Sequence, residues 1–128
     1  MKLLLDTHTF LWFIMGNAKL SANARAGIES LANDKYVSIA SVWEIAIKVS
    51  VGKLSLSAPF IPLIPDQLSA NGFELLHLDM AHAAGLINLP FHHRDPFDRL
   101  LIAQATVEQM QIVSIDTAFD AYPVSRLW

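Results

Sequence analysis

A parallel α/β sheet sandwiched between helices is the architecture this sequence predicts, and three observations predict it. Short apolar runs alternate with helix-length segments along all 128 residues. Two of those runs, Leu3-Leu4-Leu5-Asp6 and Ile112-Val113-Ser114-Ile115-Asp116, end in an acid. Capping and turn residues stand at most of the junctions. A strand buried on both faces needs a continuous apolar run, and strands alternating with helices join as parallel neighbours.

Taken in order, residues 2–6 form the first strand, and residues 7–16 a short helix closed by Gly16. Ser21 caps a helix over residues 22–31, with Ala24, Ile28 and Leu31 on its inner face. Asn33-Asp34 turns the chain into a second strand, Tyr36-Val37-Ser38-Ile39-Ala40. Ser41 caps the next helix, over residues 42–50, and Gly52 stops it. Pro59, Pro62 and Pro65 make residues 55–66 a loop or a broken, proline-started helix leading to Leu68. Residues 73–78 read as a third strand, followed by a helix capped by Asp79, running over residues 80–87 and ended by Pro90. Asp95 caps a helix with Pro96 at its favoured first position, running to about residue 109. Residues 112–116 are the fourth strand, and residues 125–128 a short last edge strand.

A chain of this length builds one domain, spanning residues 1–128, around one core. Its hydrophobic fraction of 53% and charged fraction of 16% exclude a disordered segment. A net charge of −3 argues against coating nucleic acid through Lys and Arg alone, but not against a nuclease whose cations are bound metals. With no cysteine, disulfides, thiolate catalysis and Cys-zinc sites are excluded together, which fits the cytoplasm. Lys2 followed by apolar residues resembles the start of a signal peptide. Asp6, Thr7, His8 and Thr9 interrupt the run, however, and residues 10–15 are too few for a signal core or a membrane span.

A parallel sheet places the chemistry, because ligands bind beyond the carboxyl ends of its strands. Asp6 ends the first strand and Asp116 the fourth, while Glu44 and Asp98 lie in first helical turns at the same edge. Each acid has a plainer use. Ser41-x-x-Glu44 matches a capping box, Asp95-x-x-Asp98 suits a helix start, Lys48 pairs with Glu44 at i, i+4, and Asp6 or Asp116 can begin an Asx-turn. Convergence alters the weighing. Two carboxylates about 5 Å apart repel by roughly 3 kcal/mol at an effective dielectric near 20, so a cluster needs protons or cations. Mg²⁺ or Mn²⁺, hard cations that take oxygen ligands, are the natural occupants, and such a site suits phosphodiester hydrolysis by metal-activated water.

The segments Leu-Leu-Leu-Asp6-Thr-His, Ser41-Val-Trp-Glu44-Ile-Ala-Ile-Lys48, His93-Arg-Asp95-Pro-Phe-Asp98-Arg-Leu-Leu-Ile-Ala-Gln-Ala and Ser114-Ile-Asp116 resemble the PIN-domain family. More narrowly, they resemble VapC-type toxins of toxin–antitoxin pairs. The resemblance implies a four- to five-stranded parallel sheet of order 3-2-1-4-5 and Mg²⁺- or Mn²⁺-dependent cleavage of RNA. It also implies a small antitoxin as partner and a homodimer. Its acidic quartet falls on Asp6, Glu44, Asp98 and Asp116, as metal ligands and catalytic residues. Asp98 rather than Asp95 precedes Arg-Leu-Leu-Ile-Ala-Gln-Ala as the family acid does, and Asp95 suits the helix cap.

The remaining residues of note are read more plainly. His92-His93 and His77/His82 lack the i, i+4 spacing of a helical zinc motif. His93 and Arg94, near the site entrance, either touch phosphate or belong to a solvated loop. Thr7 and Thr117 each follow a site acid, where a hydroxyl caps the next helix or positions a water on the ion. Lys48 and Arg99 are ion-pair partners or RNA contacts. Phe10, Trp12, Phe13 and Ile14 are core residues, in a helix apolar nearly all round, and the resemblance puts a dimer or antitoxin contact nearby. Two other readings compete. One is a binding domain that uses the scaffold without catalysis. The other is an aspartyl-nucleophile phosphatase starting at Asp6, which normally carries a second acid where this chain has His8.

Overall fold

The structure, a computed structural model, describes residues 1–128. Five strands form one parallel sheet in the order β3-β2-β1-β4-β5. They are β1 (Lys2–Leu5), β2 (Asp34–Ser38), β3 (Phe73–Leu76), β4 (Gln111–Val113) and β5 (Arg126–Leu127). Six helices intervene: α1 (Thr7–Met15), α2 (Ala22–Glu29), α3 (Ile39–Ser50), α4 (Phe60–Ala70), α5 (Met80–Ile87) and α6 (Pro96–Glu108). A 3₁₀ turn, Thr117–Ala121, lies between β4 and β5.

Strand β1 is central, and its leucines divide between two cores because successive side chains point to opposite faces. Leu3 and Leu5 pack with Phe10, Leu11, Ala24, Ile28, Ile45 and Ile64 from α1–α4. Leu4 packs on the other face with Leu101, Ile102 and Ala105 of α6, and with Phe119. All three leucines are fully buried, each contributing about 1.5–3 kcal/mol of transfer free energy. No helix is long and apolar enough to cross a membrane.

Helix ends show where local chemistry decided the boundaries. Gly16 adopts the left-handed conformation that closes α1. The cap of α3 is Ser38, not Ser41: the Ser38 hydroxyl accepts from the Ala40 amide at 3.1 Å, so the helix starts at Ile39 and β2 lies two residues earlier than expected, taking in Asp34 of the expected turn. Glu44 therefore lies in the second turn, and the Ser41–Glu44 capping box does not form. Helix α2 stops at Glu29, which leaves Leu31 fully exposed rather than on the inner face. The proline-rich stretch is a broken helix: Ile61, ahead of Pro62, is extended (φ −105°, ψ 122°), and the chain is helical beyond it.

Helix α6 ends on Gln109 at φ 56°, a left-handed position that a side chain makes costly. Gln109→Gly is expected to stabilise the protein by about 1 kcal/mol, read as a higher midpoint in urea unfolding. An unchanged or lower midpoint would show that the Gln109 side chain contributes more than the backbone costs.

Candidate active site

The carboxyl edge of the sheet is where β1 and β4 stop in register, with Leu5 opposite Val113. The next residue on each strand, Asp6 and Ser114, meets the other through side chains. Ser114 donates its hydroxyl to Asp6 Oδ2 at 2.6 Å and accepts from the Asp116 amide at 3.0 Å. That second bond turns the chain, so β4 ends at Val113 and Asp116 lies three residues beyond it instead of closing the strand. Asp6 Oδ1 accepts from the Thr9 amide at 2.9 Å, making Asp6 the cap of α1. Asp6 and Ser114 are both buried.

Glu44 is also buried, and it reaches the same edge from α3. Thr7 donates its hydroxyl to Glu44 Oε1 at 2.6 Å, and Lys48 lies 2.8 Å from Oε2. Thr7 thus orients an acid and does not cap a helix, the two uses expected being a cap or a water contact. Lys48 takes its expected ion-pair role.

Asp98 comes from the first turn of α6, whose cap, Asp95, accepts from the Phe97 and Asp98 amides. Asp116 caps the 3₁₀ turn through the Ala118 amide. Between them lies His93, with Nε2 3.2 Å from Asp98 Oδ2 and 3.0 Å from Asp116 Oδ2. These three ligating atoms lie within 4.8 Å of one another. Asp6 and Glu44 are outside that tight group but close enough to act on it. The Asp98 carboxyl is pushed up from 3.8 to about 7 by burial first, then by the charges of Asp95, Asp6 and Glu44, with His93 drawing it back. Burial pushes the Asp116 carboxyl the same way. The Ala118 amide, His93 and Arg126 outweigh it and hold Asp116 below the ordinary carboxylate range.

The half-buried Asp98 carboxyl is raised by burial first and by three neighbouring acids after it, so negative charge is crowded at this edge. All four acids offer hard oxygen donors, a set that suits Mg²⁺ or Mn²⁺ and not a soft ion. A second grouping, Asp79, His82 and Glu108, joins two helices away from the sheet edge. His82 is buried, with Nδ1 accepting from the Asp79 amide at 3.2 Å and Nε2 bonded to Glu108 at 3.0 Å, so both ring nitrogens are used in tying α5 to α6. A hollow at the opposite edge of the sheet, lined by Lys2, Gln109, Gln111 and Ser125 among others, contains no acid.

Arg99 is buried and makes no ion pair, so neither of its expected roles, ion-pair partner or RNA contact, describes it. Its guanidinium donates to the Leu89 and Pro90 carbonyls at 3.0 and 2.8 Å, and stacks on Phe91 at 3.9 Å. It thereby holds the loop that carries His93. Arg99→Met is expected to lose about 2–3 kcal/mol of unfolding free energy in chemical denaturation, because two carbonyls lose a charged donor. A loss under about 0.5 kcal/mol, the range of an ordinary surface change, would contradict this role.

The four expected acids thus reach one edge, Asp98 and Asp116 in direct company and Asp6 and Glu44 behind them. Two residues of the site were not anticipated. Ser114 was read as one letter of a strand, although its register opposite Asp6 was inferable from two apolar runs of similar pattern. His93 was expected to touch phosphate or to lie in a solvated loop, because nothing in a sequence shows a loop folding back over a helix start. Among the apolar residues of helix α1, Phe10 is core, while Trp12, Phe13 and Ile14 are only partly buried against it. Thr117 is exposed.

The fold and the site define an α/β domain with an acidic centre on the carboxyl edge of a 3-2-1-4-5 sheet. The chain belongs to the PIN domain family, whose profile it matches over residues 3–124. It is 37% identical over 70 residues to ribonuclease VapC16 of Mycobacterium tuberculosis (strain ATCC 25618 / H37Rv). That match covers 52% of this chain and 50% of the relative, so the chain spans about half the length of the curated relative it matches. Among solved structures, it resembles a chain of VapBC2 from Rickettsia felis bound to a promoter DNA fragment. The TM-score is 0.74 at 18% identity, covering 98% of this chain and 97% of that one. It also resembles a chain of FitAcB from Neisseria gonorrhoeae, with a TM-score of 0.63 at 20% identity and coverage of 97% and 95%. A toxin–antitoxin complex from Klebsiella pneumoniae gives 0.64 at 13% identity, with coverage of 94% and 92%.

Proposed function

We propose that this protein is a Mg²⁺- or Mn²⁺-dependent endoribonuclease, the toxin of a toxin–antitoxin pair, with Asp6, Glu44, Asp98 and Asp116 as ion ligands and catalytic residues. The observation that carries the reading is the meeting of four acids at one sheet edge, with the ligating oxygens of Asp98 and Asp116 within 4.8 Å of each other and the buried Asp6 and Glu44 close enough to act on Asp98. The name of the Mycobacterium tuberculosis relative, a ribonuclease, supports the activity. The toxin–antitoxin complex of like fold supports the partner, and a chain without cysteine suits the cytoplasm as its place of action.

When bound, the divalent ion supplies charge neutralisation at the scissile phosphate and lowers the pKa of the attacking water. The chain's own residues prepare its seat. Ser114 and the Thr9 amide fix Asp6, Thr7 and Lys48 fix Glu44, and the Ala118 amide fixes Asp116. Carboxylates oriented in advance bind an ion without losing further conformational freedom. With a net charge of −3, the chain depends on that ion to hold a polyanion.

A homodimer is part of the same reading. Trp43, Ile47 and Val51 recur every four residues along α3 and are all exposed, an apolar stripe of the kind a partner covers. Light scattering across a concentration series measures the association, and a monomer at every concentration would remove it.

Incubation with structured RNAs, tRNAs among them, tests the activity in Mg²⁺ or Mn²⁺, in EDTA, and with Asp98→Asn. Discrete products that vanish in EDTA and in the variant are expected. No cleavage by folded, inhibitor-free protein would favour a domain that binds without cutting.

A further inference from the structure

His93 contacts two of the four acids, yet it is neither a carboxylate nor part of a helix or strand. The question is which of its nitrogens carries hydrogen. The Asp95 backbone amide approaches His93 Nδ1 at 3.2 Å. A backbone N–H can only donate, so Nδ1 is the acceptor and Nε2 is the nitrogen that bears the hydrogen. Nε2 then donates to Asp116 Oδ2 at 3.0 Å, and Asp98 Oδ2 lies 3.2 Å from the same nitrogen. An ion ligand needs a lone pair at that atom, and this tautomer has none there.

The ring is held in this pose independently of the acids. The His93 amide donates to the Tyr122 hydroxyl at 2.8 Å, and Tyr122 in turn donates to the Pro90 carbonyl at 2.7 Å. The imidazole lies against Phe119, with ring centres 5.7 Å apart. Arg99, buried beneath the loop, holds Leu89 and Pro90 from the α6 side. The loop from α5 to α6 is therefore anchored on two elements, and both anchors aim the same N–H at the acids.

We propose that His93 is a positioning residue of the acidic centre: its Nε2–H bonds Asp116 and its ring edge lies against Asp98, setting both carboxylates for the ion, while the imidazole itself stays off the ion. Asp98 arrives from α6 and Asp116 from the turn after β4, and His93 is the side chain in contact with both. This rests on the ion site proposed above, and the two are separable by experiment.

The measurement is Mn²⁺ affinity by calorimetry for the wild-type protein, His93→Ala, His93→Gln, His93→Asn and Asp98→Asn. Pulsed electron paramagnetic resonance of bound Mn²⁺ accompanies it, and circular dichroism confirms that each variant is folded. His93→Ala is expected to bind Mn²⁺ about tenfold or more weakly, the usual effect of losing a side chain that orients a ligand. The glutamine amide reaches the Nε2 position and should retain most of the affinity. The asparagine amide reaches only the Nδ1 position and should behave like alanine. The resonance should show no directly coordinated nitrogen in the wild type. A coordinated nitrogen, unchanged affinity in His93→Ala, or glutamine no better than asparagine would each overturn the proposal. Wild-type protein that binds no Mn²⁺, or binds it equally with Asp98→Asn, would overturn the ion site itself and this role with it.

Discussion

Replacing Asp98 by asparagine is expected to lower RNA cleavage by about two orders of magnitude or more while leaving the fold intact. The size follows from what the carboxylate does. Losing a residue that merely orients a ligand costs about 10–100-fold in metal affinity or activity, and losing the ligand costs at least as much. The change is isosteric, and it removes a charge that the protein holds at a disadvantage beside Asp95, Asp6 and Glu44. The Asp98 amide, which bonds Asp95, is untouched, so α6 keeps its start. Lost cleavage is therefore expected together with an unchanged or higher melting temperature. Cleavage within a few-fold of wild type would remove Asp98 from the chemistry. Lost cleavage with lost structure would show a scaffold role instead.

The second large effect concerns pH and stability without the ion. Asp98 has a folded-state carboxyl raised from 3.8 to about 7, so the folded chain binds a proton that the unfolded chain releases. Its contribution is fully present below about pH 4 and is lost as pH rises through about 7. A shift of this size has a ceiling of about 4 kcal/mol, and solvent reaching a side chain that is 23% exposed reduces it to about 2 kcal/mol. In EDTA, stability measured by urea unfolding should fall from about pH 4 to about pH 7 and level off above it. Asp98→Asn should flatten that fall, and Mn²⁺ at pH 8 should reverse it. Asp116 acts in the opposite sense, its lowered carboxyl giving stability that is lost only as pH drops below the ordinary carboxylate range. A flat profile in EDTA for the wild type would contradict the crowding at Asp98.

Much of this arrangement was legible in the residues themselves. The apolar runs at Leu3–Leu5 and Ile112–Val113 could only be buried strands, and acids just past them could only face the carboxyl edge. Asp95-Pro96 announced the start of α6, and with it the position of Asp98. The start of α3 was misplaced because Ser38 and Ser41 are both good caps. The choice between them depends on where β2 stops pairing with β3, a long-range fact. The same limit hid His93 and the buried role of Arg99. Both depend on the path of the loop from α5 to α6, which no local spacing encodes. Sequence patterns reveal elements whose stability is local or periodic, and they are silent on contacts made by loops across the fold.

The most direct test of the account is a crystal of this protein grown with Mn²⁺ and measured for the metal's anomalous scattering. The account predicts a peak among the carboxylates of Asp6, Glu44, Asp98 and Asp116, lost in Asp98→Asn crystals. A peak only at Asp79, His82 and Glu108, or none at all at saturating Mn²⁺, would contradict it.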